Sequence, residues 1–197
     1  MKDLLILANK SSEELEVLTV LDFARRAGLI VDLCSVTDEG FFVSSHEVKI
    51  LCDINLSDVN ANDYRAIYLP GGLPGAEFNA SDSRVIELVQ KFYHEDKFIF
   101  SICAGPLVLC SSGISSKLRG TCYPGFENKV SYKEFSKELF VEDGRVVTSR
   151  GPATTGLLAL KVISVLKSKE EAKKIADQTL WTDLSLNIDI FNSIFRD

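Results

Sequence analysis

Short apolar runs alternate with longer amphipathic stretches along most of the chain. Runs of four to seven apolar residues are typical of strands buried on both faces of a sheet. Their alternation with stretches of helical spacing predicts an α/β fold, a doubly wound parallel sheet sandwiched by helices and joined by right-handed crossovers. The runs that we interpret as buried strands are DLLILA (3–8), IVDLCSV (30–36), YRAIYLP (64–70) and FIFSIC (98–103).

Capping and turn residues predict where the helices lie between these strands. Ser11 with Glu14 three residues later forms a capping-box pattern, and Gly28 is a stop signal for the first helix. The remaining predicted elements are a helix capped by Ser81 or Asp82, a helix after residue 103 that ends at Gly113, a long helix with Pro152 in its first turn, another over 169–181, and hairpins over 40–56 and across Asp143-Gly144.

The last sixteen residues have a pattern of their own. Leu184, Leu186, Ile188 and Ile190 alternate, and the apolar residues after them take helical spacing. A tail this apolar is expected to be covered. We therefore expect a single domain over 1–181 and a C-terminal extension over 182–197 that packs on the domain or on a partner subunit.

Composition and charge argue against several classes of protein. The 197 residues suffice for one domain, and a net charge of -6 makes nucleic acid a poor partner. No apolar run approaches the roughly 20 residues of a membrane span, and the N-terminal run is too short for a signal peptide. Five cysteines without a CxxC pair indicate neither a disulfide framework nor a zinc site. We expect a cytoplasmic protein with reduced thiols.

Cys103 stands where a nucleophile is expected in such a fold. Sites in doubly wound sheets form at the carboxyl ends of the strands, and SICAGP carries a thiol between a buried strand and a helix. The helix N-terminus is expected to lower the pKa of the thiol, while the N–H groups of Ala104 and Gly72 are candidate oxyanion donors. The alternative is a packing cysteine, which we favour for Cys34, Cys52 and Cys110 and leave open for Cys122.

A thiol nucleophile needs a group that handles its proton, and Glu16 is the candidate. The first strand of such a sheet is usually central, so the helix that follows it begins beside the predicted elbow. Glu13 and Glu14 suit the first turn as partners of the helix dipole, whereas Glu16 lies further in and could turn inward. The alternative is an ordinary exposed helix glutamate.

Several motifs in order resemble those of the DJ-1/ThiJ/PfpI superfamily, most closely its protein deglycase, YajL-like branch. They are ILANKSSEELE, RRAG, LPGG, SICAGP and TSRGP, and the resemblance covers about residues 3–180. It implies a flavodoxin-like, class I glutamine amidotransferase-like homodimer with an oxidation-sensitive cysteine. The implied roles are the reactive cysteine for Cys103, its acid for Glu16, the backbone pocket for Gly71, Gly72 and Ala104, positions near the dimer interface for Asp22 and Arg26, and a place beside the site for Arg150, Gly151 and Pro152.

The chain also departs from the family pattern at three positions. Tyr123 stands where some members carry a histidine before proline, so no histidine at that position polarises the thiol. Ala104 replaces the histidine that follows the cysteine in PfpI-type peptidases, which argues against a Cys-His protease. His46 stands where relatives carry an arginine near the pocket, so it is a candidate residue beside the site, although we favour the alternative of an exposed hairpin histidine.

Two functions fit this reading of the sequence. The first is a glyoxalase III or protein deglycase activity on methylglyoxal and related 2-oxoaldehydes or their adducts, with Cys103 as nucleophile and Glu16 as acid and base. The second is an oxidative-stress sensor or redox-regulated chaperone in which peroxide converts Cys103 to the sulfinate. Neither requires a metal or nucleotide, and PGGLPGA fits no nucleotide-binding pattern.

Overall fold

The computed structural model describes residues 1–187, and within them the chain folds into one α/β sandwich. The strands are β1 (Lys2–Ala8), β2 (Val31–Ser35), β3 (Phe41–Val43), β4 (Lys49–Leu51), β5 (Ile54–Asn55), β6 (Tyr64–Leu69), β7 (Phe98–Ile102), β8 (Arg119–Gly120), β9 (Glu134–Phe135), β10 (Phe140–Asp143) and β11 (Val146–Ser149). The helices are α1 (Glu14–Arg26), α2 (Gly75–Ser81), α3 (Ser83–His94), α4 (Pro106–Ser111), α5 (Glu127–Val130), α6 (Thr155–Leu166), α7 (Lys169–Gln178) and α8 (Trp181–Leu186).

Seven strands form the central sheet in the order β10-β11-β7-β6-β1-β2-β5. All neighbours are parallel except the edge pair β10 and β11. The chain runs outward from β1 through β2 to β5 and then returns to the other side of β1 as β6. This reversal is a topological switch point, and crevices form at the carboxyl ends of the strands there.

Alternate residues of β1 supply the two hydrophobic layers. Leu4 and Ile6 pack with apolar residues of α1, α6 and α7 on one face, whereas Leu5 and Leu7 pack with residues of α3 and α4 on the other. All four side chains are fully buried. A strand covered on both faces must be apolar at successive positions, which explains the continuous run that identified it in the sequence.

The expected elements are present, with corrections at their ends. Gly28 and Gly113 adopt positive φ directly after α1 and α4, and Asp82 caps α3 by accepting from the Arg84 N–H. The hairpins β3–β4 and β10–β11 lie where they were expected. The capping box at Ser11 and Glu14 is wrong, because Ser11 has φ 62° and belongs to the loop after β1.

The helix ends beyond this loop also differ from expectation. Glu13 is the cap of α1, and its carboxylate accepts from the Leu15 N–H. Pro152 lies in a separate 3₁₀ turn, Pro152–Thr154, because the Thr154 hydroxyl bonds back to the carbonyl oxygen of Gly151 before α6 begins. The helix expected over 169–181 is broken at Leu180, whose φ of 60° separates α7 from α8.

The described part of the C-terminal extension is helical and exposed. Leu184 and Leu186 lie in α8 with half or more of their surface accessible in the single chain, while Ile188, Ile190 and the rest of the extension lie outside the described residues. Packing of this segment on the domain or on a partner therefore stays a prediction. No helix within residues 1–187 is long and apolar enough to cross a membrane.

Candidate active site

Cys103 occupies a tight turn between β7 and α4, at the carboxyl edge of the sheet. Its φ of 61° is uncommon for a residue with a side chain, a strain on the order of 1–3 kcal/mol that the surrounding contacts must hold. The Cys103 N–H donates to the Ser149 carbonyl oxygen at 3.0 Å, and its own carbonyl accepts from the Tyr123 N–H at 2.9 Å. The thiol is half-buried. This is the geometry of a nucleophile elbow.

Gly105 makes this turn possible because no side chain fits at its position. A Cβ there would lie 2.3 Å from the Leu69 carbonyl oxygen, although the backbone conformation itself, with φ −51°, suits any residue. The close approach of the elbow to the end of β6 therefore requires glycine. It also brings Cys103 beside the loop that follows β6, which carries Gly71 and Gly72.

Glu16 is fully buried in the first turn of α1, and it faces this loop. The Gly71 N–H donates to Glu16 Oε2 at 2.7 Å, while Oε1 is buried and has no hydrogen-bond partner among the residues described. A Cβ built on Gly71 would lie 2.8 Å from both the Cys103 Cβ and Glu16 Oε2. The thiol-bearing and carboxyl-bearing side chains thus flank the same glycine, and any larger residue would separate them.

Burial makes Glu16 a carboxylic acid near neutral pH. Loss of water raises its pKa from an ordinary 4.5 to about 7, against the lowering effects of the Gly71 N–H and the Cys103 thiol, and the charge of Glu13 adds to the rise. A carboxyl with a pKa near the working pH both gives and takes protons readily. The expectation of an inward-turned Glu16 agrees with this position.

The expected low pKa of the Cys103 thiol is wrong for the site as it stands. Burial is the main cause that raises this pKa, followed by the charge of the neighbouring Glu16 carboxyl, and the Ala104 and Gly72 N–H groups only partly offset them. Burial and the charge of Glu16 thus outweigh the effect expected of the α4 N-terminus. When Glu16 holds the proton, its charge no longer opposes the thiolate. The two groups are therefore coupled, and the charge state of Glu16 sets how far the pKa of the thiol is raised.

A cavity of about 340 Å³ opens over the sulfur. The predicted site residues Gly72, Ala104, Tyr123 and Pro152 line it, whereas Gly71 and Glu16, which are joined by the Gly71 N–H, do not. This volume is at the small end of ligand pockets, which suits a substrate of a few heavy atoms. The remaining lining residues are Glu13, Ser45, His46, Leu73, Cys103 and Phe126.

His46 lies at the mouth of this cavity rather than on a remote hairpin. It sits at the β3–β4 tip with 71% of its side chain exposed, and its Nδ1 is 2.8 Å from Glu14 Oε1 and 3.7 Å from Glu13 Oε2. The ligand atoms of these three residues lie within 4.8 Å of one another, close enough for a divalent cation, although the hydrogen bond between His46 and Glu14 already joins two of them.

Other predicted site residues lie outside the cavity lining. Arg150 has its guanidinium 5.9 Å from the Phe135 ring, with Nη1 buried and unpaired within residues 1–187, and Gly151 packs under the Tyr123 ring. Asp22 and Arg26 form an exposed ion pair of 2.6 Å on α1. None of these four residues contacts the thiol cavity directly.

The other four cysteines lack the setting of Cys103. Cys34 and Cys122 are fully buried, which settles the open case of Cys122 in favour of packing, and burial raises the pKa of Cys52 and Cys122 to about 12. Cys110 contributes to a small apolar cluster beside α4. Access to the cavity and the partnership with Glu16, not the pKa alone, distinguish Cys103.

Sequence reasoning missed four residues of the cavity, namely Glu13, Ser45, Leu73 and Phe126. Leu73 and Phe126 adjoin motifs already singled out, PGGLPG and CYPGF, so their neighbourhood was a usable signal. Glu13 and Ser45 carry no such signal. They reach the cavity because the β3–β4 tip folds onto the loop after β1, through a hydrogen bond from Ser45 N–H to the Ser12 carbonyl oxygen of 3.0 Å.

Comparison with known proteins finds relatives of the whole domain. The model of the DJ-1/PfpI family matches residues 2–165. The chain is 34% identical to the Parkinson disease protein 7 homolog of Danio rerio, covering 92% of this chain and 98% of that protein, and 32% identical to Protein dj-1beta of Drosophila melanogaster, covering 89% and 95%. Its structure is similar to that of oxidized Toxoplasma gondii DJ-1, with a TM-score of 0.86 and 34% identity over 91% and 98% of the two chains.

The raised pKa of Glu16 makes the stability of the protein depend on pH. Because the folded protein binds this proton more tightly than the unfolded chain, the stabilising contribution is full below an unfolded pKa near 4.5 and is lost as pH rises through about 7. We expect the unfolding free energy of the wild type, relative to Glu16→Gln, to fall by about 3 kcal/mol between about pH 4.5 and 8. Urea unfolding of both proteins across this range measures it.

The matched control for this measurement is Glu87→Gln, an exposed carboxyl on α3. We expect its stability to run parallel to that of the wild type at every pH. A constant difference between the wild type and Glu16→Gln would show that Glu16 is ionised in the folded protein throughout, contrary to the burial argument.

Proposed function

The chain belongs to the DJ-1/PfpI family, and on that premise we propose that it is a cofactor-independent, cysteine-dependent enzyme of the glyoxalase III or protein deglycase type. Its substrates would be methylglyoxal and related 2-oxoaldehydes, or the adducts that they form. The observation that carries the proposal is a buried, protonatable Glu16 carboxyl beside the Cys103 thiol, which itself lines a small cavity. This pair joins a nucleophile to an acid and base with a suitable pKa.

The first step is attack of the Cys103 sulfur on the aldehyde carbon. The thiol proton passes to Glu16, a C–S bond forms, and the carbonyl electron pair moves onto oxygen. The N–H groups of Ala104 and Gly72, which lower the pKa of the thiol by favouring negative charge, are suited to stabilise this oxyanion. Return of the proton to the oxygen gives a hemithioacetal.

The second step moves a hydrogen between adjacent carbons. The Glu16 carboxylate removes the hydrogen on C1 as a proton, the C–H electron pair forms the C1–C2 double bond, and the C2 carbonyl electron pair moves onto its oxygen, which takes the proton of the C1 hydroxyl. The same carboxyl then returns a proton to C2 as the C1 carbonyl forms, which leaves a 2-hydroxy thioester on Cys103 and no net oxidation. Hydrolysis of the thioester by water releases lactate, in the case of methylglyoxal, and regenerates the thiol.

The residues around the thiol argue against peptide hydrolysis. Ala104 follows the cysteine at the position where a PfpI-type Cys-His peptidase carries its histidine base. A cavity of about 340 Å³ is also small for a peptide segment with its side chains. Glu16 is fully buried and does not line the cavity, so it serves only the thiol and small groups bound to it. A small carbonyl compound meets both conditions.

The direct test is release of lactate from methylglyoxal. We expect turnover by the wild type, none by Cys103→Ala, and a loss of about 100-fold or more in Glu16→Gln, since a positioned acid and base typically contributes 10²–10⁴-fold. Chiral assay of D- and L-lactate quantifies the product. Cys52→Ala is the matched control, because Cys52 is half-buried and does not line the cavity. Equal lactate release by Cys103→Ala and the wild type would refute the enzyme.

The second candidate function is an oxidative-stress sensor or redox-regulated chaperone. It is favoured by the same backbone donors, Ala104 and Gly72, which can hold a sulfinate oxygen, and by a protonated Glu16 that can donate to it. A relative 34% identical in sequence, the Toxoplasma gondii protein, has a structure described as oxidized. Both functions use one thiol, so a single protein can carry both.

Mild peroxide treatment followed by peptide mass spectrometry tests the sensor function. We expect Cys103 to reach the sulfinic form before any of the other four cysteines, and to pass on to the sulfonic form more readily in Glu16→Gln, which lacks the carboxylic acid proton. The other cysteines provide an internal control within each sample. Uniform oxidation of all five cysteines, or oxidation of Cys52 or Cys110 before Cys103, would contradict the sensor function.

We also propose that the protein is a cytoplasmic homodimer, as the family resemblance implies. All five cysteines are free, which suits a reducing compartment. The surface of α1 that carries Asp22 and Arg26 also exposes Leu15 and Leu18, two apolar side chains that a partner subunit would cover.

A further inference from the structure

We propose that His46, oriented by Glu14, is the base that activates water for hydrolysis of the thioester on Cys103. This inference rests on the proposed glyoxalase or deglycase function and assigns its last step. It gives a role to a residue for which the sequence left two alternatives, a place beside the site or an exposed hairpin histidine.

The position of His46 is the first support. It lines the same cavity as Cys103, on the solvent side, with 71% of its side chain exposed. The other histidine of the chain, His94, ends α3 and does not line this cavity. Water reaches the thioester through the mouth of the cavity, so a base at the mouth meets the water before it meets the bound carbon.

The β3–β4 tip is tied to the rest of the site, so this position is fixed rather than incidental. The Ser45 N–H donates to the Ser12 carbonyl oxygen and the Ser45 hydroxyl donates to the Ser11 carbonyl oxygen, both at 3.0 Å. The Ser44 N–H donates to the Val48 carbonyl oxygen at 2.9 Å and closes the tip. The loop between β1 and α1 therefore holds Ser45, the residue next to His46, in place.

Glu14 orients the imidazole ring. Its Oε1 lies 2.8 Å from His46 Nδ1, and the Glu13 carboxylate at 3.7 Å is the other charged group against the ring. Although burial opposes it, the pKa of Glu14 is lowered by its own backbone N–H, the Ser44 hydroxyl and His46, so its carboxylate is ionised. An ionised acceptor at Nδ1 favours the tautomer with the proton on Nδ1 and leaves the Nε2 lone pair free to accept one.

The proposed mechanism needs this second base. Glu16 is fully buried and accepts a hydrogen bond from the Gly71 N–H. In the proposed mechanism it transfers protons at the carbons of the bound substrate, so a different group must activate water. The two positions at which relatives of the resembled family carry histidines hold Ala104 and Tyr123 in this chain. Among the residues that line the cavity, His46 is the one imidazole.

The step balances without any further reactant. Nε2 of His46 takes one proton from water as the water oxygen forms a bond to the thioester carbon. Collapse of the tetrahedral intermediate breaks the C–S bond, and the electron pair returns to sulfur. The proton on Nε2 then passes by way of water to the thiolate and Glu16 pair, and the product leaves as the hydroxy acid.

Single-turnover mass spectrometry separates this step from the earlier ones. With methylglyoxal in the presence of EDTA, we expect His46→Asn to form the covalent Cys103 adduct within about 2-fold of the wild-type rate but to release lactate about 100-fold more slowly. The adduct therefore accumulates. Glu14→Gln, which keeps the histidine and loses the charged acceptor, should slow release about 10-fold. His94→Asn is the matched control and should behave as the wild type.

Chemical rescue distinguishes a base from a structural role. Because the site of His46 is open to solvent, we expect free imidazole to restore lactate release by His46→Ala without changing the rate of adduct formation. Release by His46→Asn at the wild-type rate, or slower adduct formation with no rescue, overturns this inference and leaves the proposed function intact. Absence of lactate from the wild type overturns the proposed function and this inference together.

Discussion

The burial of one carboxyl group beside one thiol is the constraint from which the site follows. Glu16 has no exposed surface, and taking a carboxylate out of water is costly unless it is paired or protonated. The fold supplies one hydrogen bond, from the Gly71 N–H, and a thiol as neighbour. This is too little to keep the carboxylate ionised, so the pKa rises to about 7 and the group holds a proton in the range where the chemistry requires one.

The architecture around this pair is organised to keep the two side chains together. β1, β6 and β7 are neighbours in the sheet, so the loop before α1, the glycine loop after β6 and the elbow after β7 meet at one edge. Gly71 and Gly105 are required there because a side chain at either position would collide with the pair or with the end of β6. The topological switch point thereby becomes a cavity with a nucleophile at its base.

Much of this could be predicted from the sequence, because the relevant signals are local. The buried strands are visible in the sequence as apolar runs. SICAG, which lies between a predicted strand and a predicted helix, indicates a nucleophile elbow from local sequence alone. Glu16 followed from topology, since a helix after a central strand begins beside that elbow. The family pattern strengthened both assignments, and the matched family model covers residues 2–165.

What the sequence could not supply depends on contacts between distant segments. The pKa of the thiol was misjudged because the effect of a helix N-terminus is visible in a sequence, whereas burial and the charge of Glu16 are not. His46 lies 32 residues from Glu14, and their contact exists only because the β3–β4 tip folds back on the first loop. The predicted start of α1 was wrong for the same reason, because Ser11 belongs to the loop after β1 and does not cap the helix.

The central claim is that the Glu16 carboxyl and the Cys103 thiol are coupled, and the pH dependence of Cys103 alkylation tests it most directly. The charge that Glu16 acquires as pH rises through about 7 raises the pKa of the thiol beside it. In Glu16→Gln this charge is absent, so the midpoint of alkylation by iodoacetamide should lie below that of the wild type, while burial still holds it above the ordinary cysteine value of about 8.5. An unchanged or higher midpoint in Glu16→Gln would show that the charge of Glu16 does not act on the thiol and would contradict the account.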